Sequence, residues 1–224
     1  MTTTPQFNAI FDFDGVLADS APLIVNVLDR MLRFERGLTF SDEDLRRTVG
    51  PPFREAVARL CAVSAIEVDE QNIEEIVAEF RAEYGRRVAG ETLLFEGVPE
   101  LLEAIEGSAH VSICSSKPRP LIDVILAAWG IGDTFRDIEA PAVGDHESKT
   151  EGLARLLQRL PAPSNRSALI GDTVFDAEAA AANTVAFVGV AWGIGDIDEL
   201  KQAGAIRIAQ TPAELATIIL ELAE

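Results

Sequence analysis

Apolar residues fall along this chain in two rhythms, and the change between them marks how it is organised. Short apolar runs such as Ala9-Ile10-Phe11, Val111-Ser112-Ile113-Cys114 and Ala168-Leu169-Ile170 read as buried strands. The first such strand spans residues 8–14 and ends in acid. A turn at Gly15 follows, and the spacing becomes helical. Ile24, Val27, Leu28 and Met31 recur on one face, then Phe53, Val57, Leu60 and Cys61, then Ile73, Ile76, Val77, Phe80 and Tyr84. Ser41 with Asp44 forms a capping-box pattern ahead of Leu45 and Val49. Residues 18–90 therefore read as an all-helical block without a strand, its end bracketed by Gly85 and Gly90.

Beyond residue 92 strands and helices alternate. A helix near 97–107 precedes strand 111–114, and a helix at 119–129 precedes a short segment at 138–140. A helix at 148–160, strand 167–171, a helix at 175–183 and strand 185–190 follow. A short strand at 206–209 and a terminal helix opened by Thr211-Pro212 close the pattern. Strand alternating with helix predicts an α/β fold, a doubly wound parallel sheet with helices on both faces. The expected division is a core of residues 1–17 and 91–224 with a helical cap of residues 18–90 inserted after the first strand. Ligands of such sheets bind outside the carboxyl ends of the strands. A helical block rooted just after Asp14 is expected to hang over that edge as a lid.

Composition narrows the partners. Among 224 residues, 19 Lys and Arg stand against 37 Asp and Glu, a net charge of −18. That balance disfavours nucleic acid and anionic membranes, whose binding needs clustered cations. A small phosphate remains possible where a local Mg²⁺ and a lysine reverse the field. Hydrophobic residues make up 48% of the chain, enough for a sizeable core. Cys61 and Cys114 lie on apolar faces and read as reduced, buried thiols. The opening Met1-Thr2-Thr3-Thr4-Pro5 lacks a signal-peptide pattern and no apolar run is long enough to span a bilayer, so a soluble cytoplasmic protein is expected.

The candidate chemistry lies where the apolar runs stop. Asp12 and Asp14 are two residues apart and, in extended chain, project to one side. One carboxylate can attack a phosphoryl group, and a neighbouring acid can protonate the leaving group and then deprotonate water. The plain alternative is a pair of acids ending a strand before a turn. Asp172, after Gly171, and Asp176, one helical turn on, would add oxygens for Mg²⁺, although Asp176 also suits an ordinary helix N-terminus. The Ser115 hydroxyl, with the amides of Ser116 and Lys117, suits phosphate oxygens, or else caps the next helix. Lys149 opens a helix, where it either neutralises a phosphoryl group or is simply solvated. His110 reads as a surface residue at a strand start, and His146 falls near Lys149 at a possible site rim. Trp129 and Trp192 read as packing residues. The G-x-G-x-x-G spacing is absent after the first strand, which argues against a dinucleotide enzyme.

Taken in order, these segments resemble the haloacid dehalogenase superfamily. Asp12-Phe13-Asp14-Gly15-Val16-Leu17-Ala18-Asp19-Ser20 looks like its first motif, Ser115 its second, Lys149 its third and Gly171-Asp172-Thr173-Val174-Phe175-Asp176 its fourth. The helical insertion resembles the cap of the phosphoglycolate phosphatase-like branch, some of whose relatives are 5′-nucleotidases. Gly50-Pro51-Pro52-Phe53-Arg54-Glu55, Ser116-Lys117-Pro118 and Gly189-Val190-Ala191-Trp192-Gly193 add to that likeness.

The resemblance implies a Rossmann-like core and a Mg²⁺-dependent phosphatase acting on a small phosphorylated metabolite, as monomer or homodimer. Asp12 would be nucleophile and metal ligand. Asp14 would be acid/base and metal ligand through its carbonyl. Asp172 would be the third ligand, Asp176 would support the metal or orient Lys149, and Ser115 and Lys149 would bind phosphate. Ser116 stands where the family often has asparagine. Arg54, in the cap, is a candidate for a substrate carboxylate or second phosphate. Asp14 argues against a dehalogenase, Gly171 argues against a phosphoryl mutase, and the absence of lysine from residues 18–90 excludes Schiff-base phosphonate hydrolysis. A phosphoryl mutase and a non-catalytic phosphate-binding regulator remain as rivals.

Overall fold

The computed structural model describes residues 7–49, 53–64, 69–144 and 148–224. In chain order its elements begin with β1 (Asn8–Phe11), β2 (Ala18–Asp19) and α1 (Ala21–Leu28), which runs on as a π-helical stretch, Asp29–Phe34. Then come α2 (Asp42–Arg46), α3 (Phe53–Val63), α4 (Glu70–Glu91), β3 (Leu93–Leu94) and α5 (Val98–Ala104). The remainder is β4 (His110–Cys114), α6 (Arg119–Trp129), β5 (Asp137–Glu139), α7 (Lys149–Leu157), β6 (Ser167–Gly171), α8 (Val174–Ala182), β7 (Ala186–Val190), α9 (Ile197–Gln202), β8 (Arg207–Ala209) and α10 (Pro212–Ala223). Two compact units result, Met1–Asp19 with Leu93–Glu224, and Ser20–Thr92.

The first unit carries a sheet in the order β5-β4-β1-β6-β7-β8. Each of its strand pairs is parallel. β1 lies in the middle, with every residue buried, as an unbroken apolar run in a two-sided sheet should be. Its register sets the functional edge: Phe11 pairs with Ile113 on β4 and with Ile170 on β6. Just past that level, at the carboxyl ends of the three strands, come Asp12, one residue beyond Phe11, and Ser115 and Asp172, two residues beyond Ile113 and Ile170.

The first strand is shorter than its sequence predicts and ends at Phe11. Asp12 N–H still donates to Ile170 C=O at 2.8 Å, and then the chain turns. Leu17 and Ala18 N–H both donate to Phe13 C=O, and Gly15 N–H donates to Ala18 C=O. Gly15 has φ +82°, a left-handed conformation open to glycine at little cost. Asp12 and Asp14 are thus not neighbours on an extended strand, and their carboxylates find different partners. Ala18–Asp19 is a strand rather than the start of a helix, because it pairs antiparallel with Leu93–Leu94.

The second unit is helical. α4 buries Ile73, Ile76, Val77, Phe80, Tyr84 and Val88 along one stripe, against Ala56, Val57, Leu60 and Cys61 of α3. Phe80 stacks on Phe53 and on Tyr84, with ring centroids 4.0 and 5.2 Å apart. This packing carries the helix through Gly85 and Gly90, which the sequence suggests as its end. A helical glycine costs only about 1 kcal/mol, less than burying the apolar side chains that flank it. Ser41 and Asp44 form the expected capping box of α2. Among the described residues no helix is long and apolar enough to cross a membrane.

Candidate active site

Two strand ends and two helix starts converge on one buried cluster of charge. Asp12 follows β1 and places Oδ1 2.9 Å from Lys149 Nζ. Lys149 is held in the first turn of α7, which Ser148 and Glu151 cap reciprocally. The same ammonium lies 2.5 Å from Oδ1 of Asp176. The other Asp176 oxygen accepts from Thr173 N–H at 3.0 Å and Thr173 Oγ1 at 2.8 Å. Asp176 therefore caps α8 and orients Lys149 at once, combining its two sequence readings.

Asp172 follows β6 and is fully buried. One of its oxygens accepts from Ile194 N–H at 2.9 Å. The other is buried without a hydrogen-bond partner among the described residues. A Cβ added to Gly15 or Gly193 would collide with the Asp172 carboxylate, so both glycines permit its seat. Oxygens of Asp12, Asp172 and Asp176 all lie within 4.8 Å of one another.

Three carboxylates around one ammonium leave an excess of buried negative charge, and proton affinities respond. Burial pushes Asp12 up to about 6 against the pull of Lys149, with Asp176 adding repulsion. Asp172 is driven well above the usual carboxylate range by burial, then by Asp176 and Asp12. Burial alone would lower Lys149, but Asp12 and Asp176 outweigh it and hold the ammonium charged. An orphaned buried oxygen beside two more carboxylates suits a hard divalent cation, and Mg²⁺ with its own waters fits this donor set.

Asp14 pairs with a different lysine. Lys117 Nζ lies 2.9 Å from its Oδ1 and 3.1 Å from its Oδ2. Ser115 is buried, its N–H donates to Glu139 C=O at 3.0 Å, and its Oγ accepts from Lys117 N–H at 3.3 Å. It does not cap α6, whose N-cap is Pro118. Ser115, the exposed Ser116 and Lys149 line one water-sized hollow of about 10 Å³, with Ser148, Glu139 and Arg155. A much larger cleft of about 620 Å³ runs along α6 and β5, but none of the predicted site residues lines it.

The other predicted residues divide. Arg54 belongs to the helical unit, where Glu74 accepts from its Nε at 2.7 Å and Glu70 lies 3.5 Å from Nη2. A substrate anion would have to displace those two carboxylates. His110 is half-buried rather than on the surface, with Nε2 2.9 Å from Asp137. Trp129 stacks on Phe13 at 5.7 Å, and Trp192 donates its indole N–H to Val16 C=O at 3.1 Å. His146 and Gly50-Pro51-Pro52 lie outside the described residues. The sequence reading missed the side chain of Lys117 and the seat that Gly193 and Ile194 make for Asp172. Their only sequence signal is the placement of Ser116-Lys117-Pro118 and Gly189–Gly193 just beyond strands.

Residues 9–190 match the family described as haloacid dehalogenase-like hydrolase. The tyrosine-protein kinase PtkA of Mycobacterium tuberculosis is 33% identical over 198 residues, 87% of this chain, and this chain spans 65% of its length. The solved structure of PtkA superposes with a TM-score of 0.79 at 30% identity, covering 96% of this chain and 98% of that one. A 5′-nucleotidase of Pseudomonas aeruginosa is 32% identical over 202 residues, covering 87% of this chain and 86% of its own. A phosphoglycolate phosphatase of Colwellia psychrerythraea is 28% identical over 200 residues, covering 87% and 88%. The matched span runs from within β1 to the end of β7 and takes in all four carboxylates, and the chain belongs to the haloacid dehalogenase-like hydrolases.

Proposed function

We propose that this chain is a Mg²⁺-dependent phosphatase that hydrolyses small phosphomonoesters through an aspartyl-phosphate. The observation that carries the reading is Asp12: a buried carboxylate at a strand end, 2.9 Å from a buried ammonium and within 4.8 Å of two further carboxylates. Such a group is poorly explained as structure, because several buried like charges cost stability.

In the first step the phosphoryl group lies against the Ser115 hydroxyl and the Lys149 ammonium. Asp12 attacks phosphorus, a carboxylate–phosphorus bond forms, and the bond to the ester oxygen breaks. Asp14 gives its proton to the departing oxygen. In the second step Asp14 takes a proton from water as that water attacks phosphorus. Inorganic phosphate leaves and the Asp12 carboxylate is restored. Asp12, Asp172 and Asp176, with the Asp14 carbonyl, would hold Mg²⁺, which would offset the charge of phosphoryl and carboxylate oxygens so that anion can approach anion. We assign the helical unit, Ser20–Thr92, as a cap whose side chains select the substrate, and Arg54 as a secondary anion contact there.

The 5′-nucleotidase and the phosphoglycolate phosphatase favour water as the final acceptor. The kinase relative favours another hydroxyl as the acceptor. Tyr84 is the one tyrosine of this chain and is 2% exposed, so it is a poor internal acceptor. The test is phosphate release from 4-nitrophenyl phosphate with and without Mg²⁺, followed by a screen of phosphorylated metabolites. Asp12→Asn should reduce turnover by at least about 10⁴-fold. Undiminished turnover in that variant excludes the mechanism.

A further inference from the structure

Lys117 is a buried cation for which the proposed chemistry has no role. Its side chain is 4% exposed, whereas that of its partner Asp14 is 24% exposed. The ammonium reaches both Asp14 oxygens, at 2.9 and 3.1 Å, across 103 positions of sequence. It also lies 5.9 Å from the centroid of the Phe13 ring, which Trp129 stacks against. The backbone of the same residue donates to the hydroxyl of Ser115. One residue thus ties the phosphate-binding serine to the acid/base carboxylate.

Stability does not explain this pair. A buried ammonium loses its hydration, and an apolar side chain of the same length usually packs as well or better. Position does explain it. The turn fixes the Asp14 backbone through the bonds of Phe13, Gly15 and Ala18, but leaves the side-chain torsions free. Proton transfer needs heavy atoms within about 2.6–3.2 Å, and a misplacement of about 1 Å can cost about 100-fold. A two-point clamp removes that freedom.

We propose that Lys117 is a positioning residue for Asp14, holding its carboxylate where it meets the leaving-group oxygen. The inference rests on the phosphatase reading above, and its test separates the two. Lys117→Met keeps the buried stem and removes the charge. The readout is the pre-steady-state release of the first equivalent of alcohol from two esters. Phenoxide leaves poorly without a proton; 4-nitrophenoxide leaves well without one. Lys117→Met should slow the phenyl phosphate burst by about 100-fold and the 4-nitrophenyl phosphate burst by less than about 5-fold. KM for each should change by less than about 3-fold, and Lys117→Arg should recover most of the lost phenyl phosphate rate. Equal losses on both esters, or no loss on either, overturn the proposal. If Lys117→Met fails to fold, a Lys117→Arg variant as slow on 4-nitrophenyl as on phenyl phosphate does so too. Retained turnover by Asp12→Asn defeats the phosphatase reading itself, whatever Lys117 does.

Discussion

Charge is handled in opposite ways in the two units of this protein. In the helical unit it stays on the surface. Arg87 pairs with Glu91 one turn along α4, Arg86 pairs with Glu83, Arg36 with Glu79, and Arg54 with Glu74. In the α/β unit Asp12, Lys149, Asp172, Asp176 and Lys117 are buried at strand ends and helix starts. Exposed pairs are worth little, and their loss is easily tolerated. Buried charges cost desolvation energy, and a set with more carboxylates than ammonium groups is worse still. The difference is the ground for the proposed site: the α/β unit buries charge that the fold would be more stable without.

The largest effect that would sharpen this contrast is at Asp172. In Asp172→Asn the amide oxygen can still accept from Ile194 N–H, while the amide N–H₂ faces Asp12 and Asp176 as a donor. Activity should fall by about 10³-fold or more. Melting of the metal-free protein should show stability higher by about 1–3 kcal/mol, the usual sign of a trade between activity and stability. An active variant, or one that melts lower than the parent without metal, would break the comparison.

Much of this site was legible in the sequence because each group directly follows an apolar run. Asp12, Ser115 and Asp172 emerge within one residue's step of each other at the carboxyl ends of three parallel strands, and Lys149 follows a capping-box serine. What stayed hidden depends on tertiary pairing. Lys117 reads as a loop lysine until the chain brings it to Asp14, 103 positions away. Gly193 is a loop glycine until the Asp172 carboxylate presses against it. The pattern extends the first strand too far because Asp12-Phe13-Asp14 alternates as a strand does, whereas Gly15 and the Phe13 carbonyl turn the chain back. Gly85 and Gly90 misled in the other direction, since local propensity yields to the stripe from Ile73 to Val88.

A smaller effect separates the units by pH. Burial holds the folded Asp12 at about 6, against 3.8 for an ordinary aspartate. Between those values the folded protein keeps a proton that the unfolded chain has released. Stability of the metal-free protein should therefore rise as pH falls from 7 to 5, by about 1.5 kcal/mol at most from this group. Asp172, raised in the same sense, adds to the slope. The surface acids of the helical unit work the other way: hydrogen bonds from Arg86 and Arg87 lower Glu83 and Glu91, whose contribution fades only below 4.5. Chelated protein melted at pH 7 and pH 5 checks the sign, and the rise should shrink in Asp12→Asn. Excess Mg²⁺ should reverse it, because protons and metal compete for the same oxygens. A metal-free protein that loses stability over this range would remove the distinction.

The smallest expected effect is at the surface. Arg87 makes two hydrogen bonds of 2.8 Å to Glu91, the best-formed ion pair of α4. Geometry this good is where an exposed pair has its best chance of mattering. Arg87→Ala should nevertheless move Tm by less than about 2 °C, leave catalytic turnover unchanged, and show no larger effect at low salt than side-chain screening allows. The reason is that Glu91 is half exposed and regains water when its partner goes. Asp172 has no such recourse, buried as it is with an oxygen already unpartnered among the described residues. A drop in Tm at Arg87 as large as the change at Asp172 would mean that burial does not divide structural from functional charge in this protein.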